Sequence, residues 1–296
     1  MGPFDWFPQA PLEPLPLDWL NGVELAVLRL DCIDPLISGN KWFKLTQHLA
    51  NAQQAGADGI ISLGGAHSNH LHALAAAGKH FDFPTVGLLR GHPQDTPTIL
   101  DLKAFGMHLH WLGYGGYRAR HDAGFWRPWR EQYPHLYPVP EGGGGRAGAM
   151  GCGVLVEQVR AQLNRLGWAD YDAWWLAAGT GTTLAGLALA EAGVHPVFGA
   201  LAVPDDHGVA QNVQAIVQHG YELLDASRGG FAKVDPLLLD FIQATEQAGG
   251  LPLEPLYTGK ALLALKQQIE AGRFAPGTRL IFVHTGGLQG RRSMES

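Results

Sequence analysis

The chain has 296 residues, 46% of them hydrophobic and 16% charged, with a formal net charge of −6. That length can bury a large core as one big domain or two moderate ones, and the acidic balance gives no electrostatic reason to expect nucleic acid or an anionic membrane as partner. Two cysteines, Cys32 and Cys152, stand at no metal-like or redox-like spacing, which argues against a disulfide scaffold and for a reducing cytoplasm. The first residues lack a basic stretch followed by an apolar one, and no apolar run reaches spanning length, so a soluble chain without a signal peptide is expected.

In chain order, the first informative segment is Ser38-Gly39-Asn40-Lys41-Trp42-Phe43-Lys44-Leu45. Trp42, Leu45, Leu49 and Ala52 fall on one helical face, and Gly56 follows as a stop. Gly59 to Leu63 reads as a buried strand, Ser68 to Phe81 as a helix, and Pro84 to Leu89 as a strand. Thr98 to Phe105 is a predicted helix and Met107 to Leu112 a strand. Short apolar strands alternating with helices predict parallel βαβ units with helices on both faces.

The stretch from Gly113 to Gly145 breaks that rhythm with Trp126, Trp129 and the run Gly142 to Gly145. It reads as a long connection between domains or as a mobile lid over a site. Alternation resumes with a long helix from Ala149 to Leu166, a strand from Ala173 to Ala178 and a helix from Thr182 to Ala192. A strand from Pro196 to Val203, helices over His207–Gly220, Pro236–Ala248 and Gly259–Ala271, and a last strand from Arg279 to Val283 complete the pattern. Two α/β lobes follow, with a cleft at the carboxyl ends of the strands.

Two Gly-rich turns each join a strand's carboxyl end to a helix's amino end, where free backbone N–H groups and the helix dipole favour an anion. Gly179-Thr180-Gly181-Thr182-Thr183 offers such amides and three hydroxyls, enough for a phosphate without a basic residue. In Gly64-Gly65-Ala66-His67-Ser68-Asn69-His70, Ser68 sits where an N-cap belongs, and the amides after it suit a substrate carboxylate. Either turn alone is equally a structural device. The third glycine of a dinucleotide fingerprint is missing, and neither a Walker loop nor a Gly-x-Ser-x-Gly elbow occurs. With the Lys41 amine, however, the two cradles supply what an enzyme using pyridoxal 5'-phosphate requires.

These motifs occur in one order with Tyr257-Thr258-Gly259-Lys260 and His284-Thr285-Gly286-Gly287. The series resembles the aminocyclopropane-carboxylate deaminase and D-cysteine desulfhydrase family, of the tryptophan-synthase-β type of pyridoxal-phosphate fold, from about Pro11 to Gly287. The resemblance implies a two-lobed α/β fold with parallel sheets flanked by helices. Its large cofactor-binding domain would comprise residues 1–41 and 146–296, with a smaller α/β domain, 42–145, inserted. It implies a homodimer.

By the same resemblance, Lys41 is the Schiff-base lysine, its amine made nucleophilic by burial. Ser68 contacts the substrate carboxylate or moves the α-proton, and Asn69 bonds the cofactor's phenolate oxygen. Gly179, Thr180, Gly181, Thr182 and Thr183 hold the phosphate, Tyr257 stacks on the pyridine ring, and Thr258 faces its nitrogen. His67, Ser68, Asn69, His70 and Phe231 line the substrate.

Three departures bear on the reaction. A hydroxyl at Thr258, where cyclopropane-opening members carry glutamate, makes the ring a weaker electron sink and favours β-elimination. Phe231 replaces a tyrosine that follows glycine in both activities, and His67 stands where relatives often have glutamine. Both changes predict an altered substrate. Family members also continue beyond Arg291-Arg292 with substrate-site residues, so that side of the pocket is expected to be less complete.

His67, His70 and His72 lack an accompanying acid within their segment, so they are read as site lining or helix surface and no metal is expected. Trp126, Trp129, Trp174 and Trp175 read as core or interface. The function expected is a lyase acting on a small, D-cysteine-like amino acid by deaminating β-elimination. The alternatives are aminocyclopropane-carboxylate deamination, racemisation, cofactor binding without turnover, or a sugar or nucleotide module without the cofactor.

Overall fold

The computed structural model describes residues 5–204, 208–230 and 232–293. The chain opens with β1 (Leu12–Pro14) and β2 (Glu24–Arg29), then α1 (Asn40–Gln54). Next come β3 (Gly59–Gly64), α2 (Asn69–Phe81), β4 (Thr85–Leu89), α3 (Pro97–Ala104) and β5 (His108–Trp111). Two short helices, α4 (Gly113–Arg118) and α5 (Arg127–Gln132), lead to β6 (Leu136–Pro138). The chain continues through α6 (Gly145–Cys152), α7 (Val154–Arg160), β7 (Ala173–Ala178), α8 (Thr182–Glu191) and β8 (Val197–Leu201). It ends with α9 (Val209–Gln214), β9 (Tyr221–Asp225), α10 (Pro236–Gly249), α11 (Thr258–Glu270) and β10 (Arg279–His284).

Among the described residues the strands form two sheets. One has the order β1-β2-β10-β7-β8-β9, the other β5-β4-β3-β6. Every pairing is parallel except β1 with β2. Parallel strands covered on both faces are apolar throughout, because successive side chains enter opposite cores. On β7, Trp174 packs into one core and Trp175 into the other, both fully buried. Each indole N–H has the partner that burial demands: Glu191 Oε1 at 2.7 Å for Trp174 and the Ala261 carbonyl at 2.8 Å for Trp175. Truncating either ring to alanine would cost about 3–5 kcal/mol.

Four differences from the sequence expectation have physical reasons. The strands β1 and β2 precede the predicted alternation, with Pro14 tolerated on an edge. The break over 113–145 contains α4, α5 and β6, and β6 joins the edge of β3 through Gly59 and Leu136. The long helix expected over Ala149–Leu166 divides into α6 and α7, with 3-10 turns over Leu163–Leu166. The helix expected from His207 to Gly220 is only α9, followed by the edge strand β9, while His207 itself lies outside the described residues.

Helix α6 positions the site. A Cβ on Gly151 would stand 2.1 Å from the Phe43 carbonyl oxygen of α1, and one on Gly186 of α8 would stand 2.2 Å from the Ala149 carbonyl oxygen of α6. Glycine therefore lets α6 wedge backbone to backbone between the helix bearing Lys41 and the helix that follows the Thr180 turn. Gly39, in the left-handed region at φ +87°, starts α1 against the end of β10, where the Asn40 N–H donates to Thr285 O at 3.1 Å.

Candidate active site

The carboxyl ends of β3, β4, β7 and β10 open into a cavity of ≈ 680 Å³ between the two sheets. Lys41, His67, Ser68, Asn69, His70, the turn from Gly179 to Thr183, and Tyr257, the positions singled out in the sequence, all line it. Thr258 does not. It is fully buried off the wall, its hydroxyl 3.1 Å from Glu254 Oε1, and Glu254 lines the cavity instead. Phe231 lies outside the described residues.

Lys41 and Lys44 lie one helical turn apart on α1, so both ammonium groups reach the same cavity. Burial, reinforced by the neighbouring Lys44 charge, lowers the Lys41 amine to about 7. Burial alone lowers Lys44 to about 8. The Asn40 side chain spans the lobes: its Oδ1 accepts from Lys41 Nζ at 2.8 Å, and its Nδ2 donates to Thr183 Oγ1 at 2.8 Å.

The turn before α8 lacks a side-chain cap, and the first hydrogen bond of that helix runs from the Ala185 N–H to Gly181 O. The amides of Thr182, Thr183 and Leu184 therefore precede the helical ladder, at its positive end. Lys44 Nζ donates to Thr180 Oγ1 at 3.2 Å, and Thr180 and Thr182 hydroxyls lie 3.0 Å apart. The sequence reading gave this turn no basic residue; the fold supplies Lys44 from 136 positions earlier. The spacing Lys41, Lys44, His48 along one side of α1 was the available signal.

Ser68 is the N-cap of α2, its hydroxyl accepting from the Leu71 N–H at 3.2 Å. Gln289, which sequence reasoning missed, donates to Asn69 Oδ1 at 2.9 Å and so turns the role of that side chain to its amide N–H donors. The Ser62 hydroxyl donates to Val139 O at 2.9 Å, so it accepts from His70 Nε2 at 2.7 Å. That fixes the proton on Nε2 and leaves His70 Nδ1 a buried acceptor without a hydrogen-bond partner among the described residues. Burial first, then the charges of Lys41 and Lys44, push His70 well below its usual range.

Tyr257 packs on the Gly179 end of β7, where a Cβ would come within 2.8 Å of the ring. Its position is set by Glu254, whose carboxylate accepts the backbone N–H groups of Leu256, Tyr257 and Thr258 at 2.8, 2.9 and 2.6 Å. Burial raises the Glu254 carboxyl, and those hydrogen bonds offset part of the rise. The Gly-run beyond β6 closes the same side: Gly142 and Gly143 lie against Thr180, Lys44 and His70.

A buried ammonium that, among the described residues, is held only by a hydroxyl, beside a helix amino terminus without a side-chain cap, calls for an anion with several acceptor oxygens. A reactive amine stands one helical turn away. The phosphate and aldehyde of pyridoxal phosphate meet both demands.

Comparison with known proteins agrees with that chemistry. The profile of the pyridoxal-phosphate dependent enzymes matches residues 7–286. A putative 1-aminocyclopropane-1-carboxylate deaminase of Pyrococcus furiosus is 28% identical over 305 residues, covering 95% of this chain and 90% of the relative. The bifunctional D-cysteine desulfhydrase/1-aminocyclopropane-1-carboxylate deaminase of Arabidopsis thaliana mitochondria is 28% identical over 299 residues, 91% of this chain and 74% of that protein. The crystal structure of an aminocyclopropane-carboxylate deaminase homologue superposes with a TM-score of 0.77 at 26% identity, covering 97% of this chain and 94% of the other. Threonine deaminase isoform 2 of Solanum lycopersicum shares the fold, with a TM-score of 0.69 at 15% identity over 97% of this chain and 87% of its own. With a matching profile over nearly all its length, this chain belongs to the pyridoxal-phosphate dependent enzymes, as a homologue of the aminocyclopropane-carboxylate deaminases and D-cysteine desulfhydrase.

Proposed function

We propose that this chain is a lyase that performs deaminating β-elimination on a small amino acid of the D-cysteine type. The observation that carries the reading is the sharing of one cavity by the Lys41 amine, the Ser68 hydroxyl and the anion cradle of Lys44 and the Thr180–Thr183 turn. Pyridoxal phosphate, when bound, supplies the electron sink that makes the substrate's α-hydrogen acidic.

The chain's own residues do the rest. Lys44 and the amides of Thr182, Thr183 and Leu184 would hold the phosphate, Tyr257 would pack on the ring, and the Asn69 amide would offer its N–H donors to the cofactor. The amides that open α2 bind the substrate carboxylate beside Ser68. Lys41 Nζ or Ser68 Oγ removes the α-proton, and Lys41 is suited because burial leaves much of it unprotonated near neutral pH. His70, kept neutral, accepts a hydrogen bond through Nδ1 without adding a third positive charge.

One feature supports elimination over cyclopropane opening: both oxygens of Glu254, the carboxylate on the cavity wall, already accept backbone N–H donors. The proposal takes residues 42–145 as the lobe that brings Ser68 and Asn69, and residues 1–41 with 146–296 as the lobe that holds the phosphate. The separate four-stranded sheet supports this division. It also takes the protein as a cytoplasmic homodimer, consistent with free Cys32 and Cys152 and with the exposed Met150 and Val154.

The test is the visible absorbance of the purified protein and its Lys41→Ala variant, followed by product analysis with D-cysteine and with aminocyclopropane-carboxylate. A visible band present only with Lys41, and release of pyruvate, ammonia and sulfide from D-cysteine, is the expected result. Release of 2-oxobutyrate from aminocyclopropane-carboxylate alone would replace the reading with the deaminase. A protein that takes up no pyridoxal phosphate would sink it.

A further inference from the structure

We propose that Arg90 is the specificity-determining residue of this cavity and selects amino acids that carry a second anionic group on the side chain. The inference rests on the elimination reading and names the substrate class for it.

Arg90 lines the cavity directly after β4, beside the turn that carries Ser68. Its backbone N–H donates to Gly64 O at 3.0 Å, and the Thr96 hydroxyl donates to Ala66 O at 2.6 Å. The segment from Arg90 to Thr96 is thus bonded at both ends to the Gly64–Ser68 turn and forms the rim above it. Tyr114 is brought to the same rim by the Gly91–Gly113 bridge, where the Gly113 N–H donates to Gly91 O at 3.0 Å. The Arg90 guanidinium stands over the Tyr114 ring, 5.7 Å from its centroid. That contact orients a planar, five-donor fork without neutralising it.

Among the described residues the Arg90 side chain makes no ion pair or hydrogen bond. The charges around it are already committed. Glu141, also on the cavity wall, accepts Arg120 Nε at 2.7 Å and the Tyr117 hydroxyl at 2.5 Å. Asp95 on the rim segment pairs with Lys103 at 2.7 Å, and Asp101 pairs with Arg292 and His72. Within the cavity, Lys44 belongs to the phosphate end, Lys41 is the reacting amine, and the α2 amides serve the α-carboxylate. A neutral side chain such as that of D-cysteine leaves Arg90 without a partner. A carboxylate, sulfonate or phosphate on the β-substituent would give it one, in the bidentate geometry that guanidinium favours.

The experiment uses the holoenzyme and both enantiomers of O-phosphoserine and β-chloroalanine, which eliminate to pyruvate and ammonia with release of phosphate or chloride. The quantity read is the ratio of the two kcat/KM values in wild type against Arg90→Gln, which cancels leaving-group reactivity. We expect that ratio to fall at least about tenfold against O-phosphoserine in the variant, with partial recovery in Arg90→Lys. An unchanged ratio overturns the proposal.

A binding readout keeps the two readings apart. Aspartate and alanine lack a β-leaving group, and their dissociation constants are read from the cofactor's absorbance. Arg90 should favour aspartate over alanine, and Arg90→Gln should abolish the preference. If neither β-substituted substrate is consumed, the elimination reading fails while this ratio still decides Arg90. Equal binding of aspartate and alanine by the wild type overturns the selection.

Discussion

Lys44 Nζ meets the Thr180 hydroxyl at 3.2 Å across the boundary between helix α1 and the Gly-rich turn before α8. Neither residue has a reason to hold a buried charge there on its own, since desolvation already lowers Lys44 to about 8. A phosphate repairs this by pairing the ammonium. Replacing Lys44 with methionine should therefore weaken pyridoxal phosphate binding by about ten- to a hundredfold, the worth of one charge-assisted hydrogen bond. Titration of the apoprotein with the cofactor measures it. An unchanged dissociation constant would remove Lys44 from the cradle.

The Lys41 amine titrates near 7 because of burial and then the Lys44 charge. In the apoprotein its reaction with a small aldehyde should rise with pH to a plateau with a midpoint near 7, far below the ordinary lysine value. In Lys44→Met the midpoint should move upward, because removing a like charge relieves the charged form. Stability follows the same sign. The folded value lies below the unfolded one, so the unfolded chain binds more protons between about 7 and 10.5, and apoprotein stability gains with rising pH across that window. Lys41→Met should be more stable than wild type below pH 7, with the advantage shrinking toward pH 10.5. Denaturant melts at several pH values give both curves.

Much of this site is legible in the sequence because its parts are local. Ser68 caps its own helix, and the turn over Gly179–Thr183 sits between a strand and a helix whose apolar patterns are plain. Lys44, Gln289 and Glu254 acquire their roles only through contacts distant in sequence or through a non-helical loop, which periodicity does not encode. Thr258 illustrates the limit. Motif position put its hydroxyl at the pyridine nitrogen, yet in the fold that hydroxyl completes the Glu254 cap. The edge strand β9 escaped because Tyr221–Asp225 mixes charged and apolar residues and is only partly buried. The break over 113–145 hid β6, a three-residue strand too short to show a period.

Glu254 offers a sharper test of the ring-facing wall. Its carboxylate gathers the amides of Leu256, Tyr257 and Thr258, in the manner of a helix cap placed inside the protein. Glu254→Ala leaves those donors buried and unpaired, costing roughly 2–3 kcal/mol, and frees Tyr257 to leave Gly179. Thermal melting should show the loss, and bound cofactor should show a shifted visible band. Glu254→Gln retains one acceptor oxygen and should lose less. If the two variants melt alike at the wild-type temperature, the cap is not what fixes Tyr257.

Asp31 ties the segment before Lys41 to the end of β10. Arg29 grips its carboxylate through Nε at 2.9 Å and Nη2 at 2.7 Å, His284 Nδ1 lies 3.1 Å away, and His284 Nε2 donates to Pro252 O at 2.7 Å. Three cavity-framing segments, ahead of Gly39, at Pro252 and at Thr285, thus meet at one buried carboxylate. Burial works to raise Asp31, and the hydrogen bonds from His284 and Arg29 overcome it and hold the carboxyl well below its usual range. Its contribution to stability is then complete above the unfolded value near 3.9 and is lost as pH falls through the folded one. Asp31→Asn removes the charge that the part-buried Arg29 guanidinium grips through Nε and Nη2, leaves that side chain only its partly exposed pair with Glu13, and should destabilise the fold by about 1–3 kcal/mol at neutral pH. Urea unfolding checks the size, and repeating it at falling pH checks the cause. The gap between wild type and variant must close in acid, because protonation removes from the wild type the charge that the variant lacks; a gap independent of pH would assign the loss to packing instead.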